Sequence, residues 1–254
     1  MLNVFCTLGK DFLEPYEPTV DYTPNLARFA DEAVVFERHV SEAGQSGIAF
    51  ASILSGEQAM RHKVYSHPTR LDDALQTLPE AYAKAGYETF FWEHQSMGSV
   101  ALNYGQGVDA ENAFPKQPLV ANDPRFVAVL KRLAEDESYK AFIMSFDSSV
   151  THGPYKRSSL GEFCGRYPHH CEGIDPADAA PVYRYRRALA YDCPNASRKY
   201  GLSGEALPRL VDAVEMIYKS RVSYLDEVYG GLIDAVDRFG LRDVSVLAFT
   251  ADHG

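Results

Sequence analysis

Apolar residues along this chain concentrate in short runs, separated by stretches with a helical period. Leu2 to Leu8, Glu88 to Trp92, Ala141 to Phe146 and Val244 to Phe249 are such runs, and Val34 to Phe36 is a shorter one. Short continuous apolar runs bounded by turn residues predict strands buried on both faces, as in a parallel sheet. Between them the period changes. Thr23-Pro24 predicts a helix start, with Thr23 as cap, Pro24 at the first helical position and Leu26, Phe29, Ala30 and Ala33 on the apolar face. Ile48 to Leu54 predicts a compact apolar helix stopped by Gly56, and Leu71 to Ala85 an amphipathic one stopped by Gly86. Pro124 to Ala134 predicts another. Leu207 to Phe239 predicts a long helix with Leu210, Val214, Ile217, Val222, Leu225 and Val228 inward, ended by Gly240. Ser96 to Pro118 is loop-like, and residues 156–202 read as a polar insert rich in Tyr and Arg. Strands alternating with helices predict an α/β fold with a mainly parallel sheet and helices on both faces.

Composition changes this picture little. With 254 residues, 46% hydrophobic and 24% charged, the chain resembles an ordinary globular domain able to bury one large core or two small ones. A strand at each extremity suggests a piece of a longer protein, ending just after a central strand. Membrane attachment through segments outside it stays open. Charge matters more. A net charge of −10 argues against nucleic acid as a partner, yet allows a small anionic substrate at one local site. Of the four cysteines, Cys164, Cys171 and Cys193 fall in the insert, where one disulfide is possible; Cys6 lies in the first run.

Polar residues cluster just after the predicted strands or at a helix start: Asp11, Ser46, His152 and Asp252-His253. In an open α/β sheet such positions gather along one rim. Ser46 stands where free N–H groups and the helix dipole favour an anion. A hydroxyl beside a cation becomes a strong nucleophile. Asp and His suit Zn²⁺ or Mn²⁺, and carboxylates suit Ca²⁺ or Mg²⁺. His152 could hold a substrate oxygen or protonate a leaving group. Each also has a plain structural reading: Ser46 as a helix cap, and Asp252-His253-Gly254 and His152 as turn residues. His94 reads as a substrate contact or a solvent-facing histidine. His169, His170 and Cys171 have no regular zinc spacing and read as packing or a disulfide.

The order of several segments resembles the sulfatase family, within the alkaline phosphatase superfamily. Thr23 to Phe36 resembles the family's "TPNLDRLAxEGxxF", and Ser46 to Gly56 its nucleophile segment ending in "LTG". Leu78 to Thr89 resembles "LAExLKxAGYxT", Thr151 to Tyr155 "HxPY", Ser223 to Gly230 "YLDxxVG", and Phe249 to Gly254 "FTSDHG". The resemblance implies an alkaline phosphatase-like fold and a divalent metal (Ca, Mn, Zn or Mg) held by Asp252, His253 and Asp11. It further implies Ser46 as nucleophile, His152 as a substrate-contacting residue, and cleavage of a sulfate or phosphate ester through a covalent intermediate. A periplasmic, extracellular or membrane-attached location goes with it. The chain departs from the family in places. Ser46-Gly-Ile-Ala-Phe50 lacks the Pro and Arg of the "C/S-x-P-x-R" motif, so no formylglycine is expected. Phe91-Trp-Glu-His94 replaces "GKWH", without the lysine, and the paired aspartates after the first strand are reduced to Lys10-Asp11. These departures keep open a phosphoglycerol- or phosphoethanolamine-type transferase and a non-catalytic relative.

Overall fold

A computed structural model describes residues 1–153, 160–173, 182 and 206–254. Within it the chain forms two compact units. The first comprises Met1–Lys10, Val34–Ser149 and Val228–Gly254, and the second Asp11–Ala33 and Val150–Glu227. Pro154, Tyr155, Cys193 and most of the 156–202 insert lie outside the described residues.

The first unit is built on an all-parallel sheet of five strands: β1 (Leu2–Phe5), β2 (Glu88–Glu93), β3 (Ala113–Pro115), β4 (Ala141–Asp147) and β5 (Ala248–Ala251), in the order β3-β2-β4-β1-β5. Phe5 is in register with both Ala251 and Asp147, so the carboxyl ends of β1, β4 and β5 finish side by side. Side chains alternate across the sheet. On one face Val4, Phe91, Phe142, Met144 and Phe146 join Ile48, Phe50 and Leu54 of helix α2 (Ser46–Ser55) in a single core. Phe142 also stacks on Tyr82 of α4 (Leu78–Lys84), with ring centroids 4.3 Å apart. On the other face Trp92 meets Phe126 of α5 (Pro124–Glu135), and Phe5 meets Tyr229 near the C-terminal end of the long last helix (Ala206–Arg238). Helices thus cover both faces, as the sequence pattern predicts. The last helix is numbered α7, after α1 (Pro24–Asp31), α3 (Ala59–His62) and α6 (Leu160–Arg166).

Four sequence expectations shift. Val34 to Phe36 is not a strand: Val34 and Phe36 are 80% and 68% exposed, and the short run has no ladder partner among the described residues. The helix expected over Leu71 to Ala85 is only α4. Thr77 and Glu80 form a reciprocal capping box there, and Pro79, lacking an N–H, sits in the first turn. The strand expected over Val244 to Phe249 is displaced to Ala248–Ala251, leaving Val244 and Val246 exposed. β5 pairs only with β1 among the described residues and is half-buried rather than buried. β3 is absent from the sequence reading because three residues are too few to show a period.

The second unit holds α1. Thr23 makes no side-chain bond to its helix; its hydroxyl instead accepts from the Glu14 N–H at 2.9 Å. Asp226 of α7 does the capping. Its carboxylate accepts from the N–H groups of Asn25 at 3.1 Å and Leu26 at 2.7 Å, and from the Asn25 amide at 2.8 Å. Three charge-assisted bonds outweigh one neutral hydroxyl. α6 packs Leu160 against Leu210, Ala213, Met216 and Ile217 of α7, and a disulfide joins Cys164 to Cys171.

Candidate active site

The register of β1 and β5 decides what meets at the sheet's carboxyl edge. Past Phe5 comes Cys6-Thr7, and past Ala251 comes Asp252-His253. The Asp252 N–H donates to the Phe5 carbonyl at 3.2 Å, and the Leu8 N–H to the His253 carbonyl at 2.9 Å, so the two turns are laced together. Thr7 has φ of 59°, a left-handed conformation that a β-branched residue rarely adopts. That turn aims its N–H at Asp252 Oδ1, 3.1 Å away, where the His253 N–H also donates at 2.7 Å. The Ser41 hydroxyl donates to the Asp252 carbonyl.

Ser46 begins α2 at this edge. Its Oγ lies 3.2 Å from Cys6 Sγ and 3.4 Å from His253 Nε2. Gln95, just past β2, donates its amide to Cys6 Sγ at 3.0 Å and to Ser46 Oγ at 3.3 Å. The turn after Gln95 is held tightly: a Cβ on Gly98 would stand 2.6–2.7 Å from the rings of Phe50 and Phe146, so glycine is needed there. Phe50 itself is fully buried, and its centroid is 4.1 Å from that of Phe146. The position at which a sulfatase motif carries arginine therefore serves the core.

Two features set the electrostatics. Burial first, then the Asp252 charge, push the Cys6 thiol up to about 12, so with no cation beside it Cys6 is a neutral thiol. Asp252 is 1% exposed, and its Oδ2 is buried with no hydrogen-bond partner among the described residues. His253 Nε2 is 3.6 Å from it, too long for a hydrogen bond. A buried carboxylate oxygen left unpaired is costly unless something cationic completes it. Cys6, Asp252 and His253 offer ligand atoms within 4.8 Å of one another. A cleft of about 250 Å³, lined in part by Ser41, Glu42, Ser52, Ala251 and Asp252, opens beside them. A larger one of about 600 Å³ lies near the C-terminal end of α2, away from Ser46.

Ser46, Asp252 and His253 are brought together as the sequence reading expects. His94 stands at the end of β2, with Nδ1 3.3 Å from Ser148 Oγ and 3.7 Å from Asp147 Oδ1. Asp11 and His152 belong to the second unit: Asp11 is exposed on a 3₁₀ turn, and His152 contacts the Gly153 carbonyl through Nδ1. Sequence reasoning missed Cys6 and Gln95. Running β1 on to Leu8 hid the fact that Cys6 already stands past the strand's end. β1 ends at Phe5, a boundary that the apolar run itself does not mark.

Known proteins resemble this chain over most of its length. The family model described as Sulfatase matches residues 7–254. The choline-sulfatase of Rhizobium meliloti is 24% identical over 288 residues, covering 92% of this chain and 52% of the relative. The ulvan-active sulfatase of Formosa agariphila is 22% identical over 248 residues, covering 91% and 45%. The chain thus spans about half the length of the curated relatives it matches. Among solved structures, the phosphonate monoester hydrolase from Silicibacter pomeroyi superposes with a TM-score of 0.67 at 17% identity, over 100% of this chain and 62% of that one. A structure solved with its substrate D-glucosamine-2-N,6-O-disulfate gives 0.67 at 16% identity, over 99% and 64%. These likenesses show an alkaline phosphatase-like fold, and the family match over nearly the whole length shows that the chain belongs to the sulfatase family.

Proposed function

We propose that this chain carries the nucleophile and part of the metal site of a hydrolase acting on sulfate or phosphate monoesters. One observation supports this above the others: Ser46 Oγ stands within 3.4 Å of His253 Nε2, beside a buried Asp252 oxygen with no hydrogen-bond partner among the described residues. Asp252, His253 and Cys6 would hold the cation. A thiol, a carboxylate and an imidazole suit zinc better than calcium or magnesium, which prefer oxygen. A bound cation supplies charge stabilisation for a serine alkoxide and for the non-bridging oxygens of the ester.

The chain's own residues do the rest. Ser46 Oγ forms a bond to sulfur or phosphorus while the bridging ester oxygen departs, and the alcohol leaves with the proton that serine gave up. Water then attacks the same centre, returns the hydroxyl to Ser46 and frees sulfate or phosphate. The N-terminal N–H groups of α2 face the growing negative charge. Gln95 orients the serine hydroxyl through its amide. The substrate-contacting role of His152 rests on the sequence resemblance alone, and His94 remains a candidate contact. An acceptor alcohol in place of water would make the same chemistry a transfer.

The Cys164–Cys171 disulfide supports an oxidising, exported setting. No described helix is long and apolar enough to cross a membrane.

A non-catalytic reading has one observation in its favour. Ser46 is only 3% exposed, and its hydroxyl is already shared among Cys6, Gln95 and His253. Turnover of aryl sulfates and aryl phosphates by the full-length protein separates the two readings. Metal-dependent release that Ser46→Ala abolishes supports the hydrolase; stoichiometric metal binding without turnover supports the other.

A further inference from the structure

The second unit contains another convergence of metal-binding side chains. His169 Nε2 lies 3.2 Å from Asp21 Oδ2, and His170 Nε2 lies 2.8 Å from Asp21 Oδ1, so two imidazoles face the two oxygens of one carboxylate. The three ligand atoms lie within 4.8 Å of one another. The groups are held in place from both sides. His169 and His170 sit on a 3₁₀ turn (Pro168–Cys171) tied to α6 by the Cys164–Cys171 disulfide. The His170 ring packs edge-on against Tyr22 at 4.9 Å and alongside Phe163 at 6.3 Å. Asp21 directly precedes Tyr22, which is fully buried. No spacing rule could reveal this set, because the carboxylate lies 149 residues before His170.

Ion pairing alone explains the arrangement poorly. Asp21 is 51% and His169 54% exposed, and exposed pairs contribute little. A divalent cation accepts electron pairs from all three groups at once, and neutral imidazole is the form it binds.

We propose that Asp21, His169 and His170 bind a divalent transition-metal ion of the zinc class. That ion ties the segment before α1 to the disulfide-bonded turn after α6. All three ligands belong to the second unit, whereas Cys6, Ser46, Asp252 and His253 belong to the first.

The test uses the full chain, stripped with EDTA and titrated with Co²⁺ and Zn²⁺ under non-reducing conditions. Bound metal is counted and melting is followed, for wild type, His169→Ala/His170→Ala, Asp21→Asn and His253→Ala. The double variant is expected to bind one equivalent fewer than wild type. It should also lose a zinc-dependent rise in melting temperature of about 5 °C at hundredfold excess over Kd, while His253→Ala keeps that rise. Asp21→Asn preserves both imidazoles and the aromatic packing, and should weaken Zn²⁺ at least tenfold should the double variant fail to fold. Unchanged metal count in the double variant, or unchanged zinc affinity in Asp21→Asn, overturns the proposal.

Discussion

Cys6 separates this site from one built on carboxylates. Its sulfur stands where β1 ends, in register with the Asp252 turn, and it is fully buried. Replacing it by aspartate exchanges a soft donor for a hard one. Cys6→Asp is expected to lower the affinity for Zn²⁺ relative to Mg²⁺ or Ca²⁺ by at least about tenfold, read by competition titration of the metal-free protein. Unchanged selectivity would remove Cys6 from the donor set. Gln95 acts through its neighbours. Gln95→Leu takes away the amide that holds both Cys6 Sγ and Ser46 Oγ, and should lower kcat by roughly tenfold with KM little changed. An equal fall in metal occupancy would assign the loss to Cys6 rather than to serine orientation.

At the scale of elements, the segments that resemble the family turn out to be mutual supports. The aspartate of Ser223-Tyr-Leu-Asp-Glu-Val caps the helix opened by Thr23-Pro24, across 200 residues. Asp226→Ala strands the N–H groups of Asn25 and Leu26 and should cost about 1–3 kcal/mol in urea unfolding. Thr23→Ala should leave α1 capped, and unbond only the Glu14 N–H. The start of α5 gives a pH test. Burial opposes ionisation of Asp123, but hydrogen bonds from Arg125 and Trp92, and the Arg125 charge, outweigh it and hold its carboxyl down to about 2, from 3.8. A carboxyl depressed by folding stabilises the native state above its unfolded value and loses that contribution as pH falls. The advantage of wild type over Asp123→Asn is therefore expected at about 2 kcal/mol near neutral pH, shrinking as pH falls through 3.8 and mostly lost by about pH 2. A difference that persists at pH 2 would show packing, not charge, to be the cause. Strands and long helices were legible because period and turn residues agree along them, as in Ala141–Asp147 and Ala206–Arg238. Caps were not: Thr23 has the right chemistry and position, and a carboxylate distant in sequence outcompetes it.

At the scale of the whole molecule, the fold was legible because strand–helix alternation leaves few other architectures, and the ordered motifs narrowed them to one family. The site was legible only in part. Ser46 and Asp252-His253 are marked by local sequence, whereas Cys6 and Gln95 gain their places from strand register and from one tight glycine turn, neither visible in a linear reading. The second metal-ligand set needs tertiary structure altogether. The central claim is that Ser46 takes the sulfuryl or phosphoryl group covalently. The most direct measurement is acid quenching of the full-length, metal-loaded protein during turnover of an aryl sulfate or aryl phosphate, followed by peptide mapping by mass spectrometry. The account predicts the transferred group on the peptide containing Ser46, absent in Ser46→Ala together with turnover. Turnover that continues in Ser46→Ala, with no modified Ser46 trapped in wild type, would contradict it.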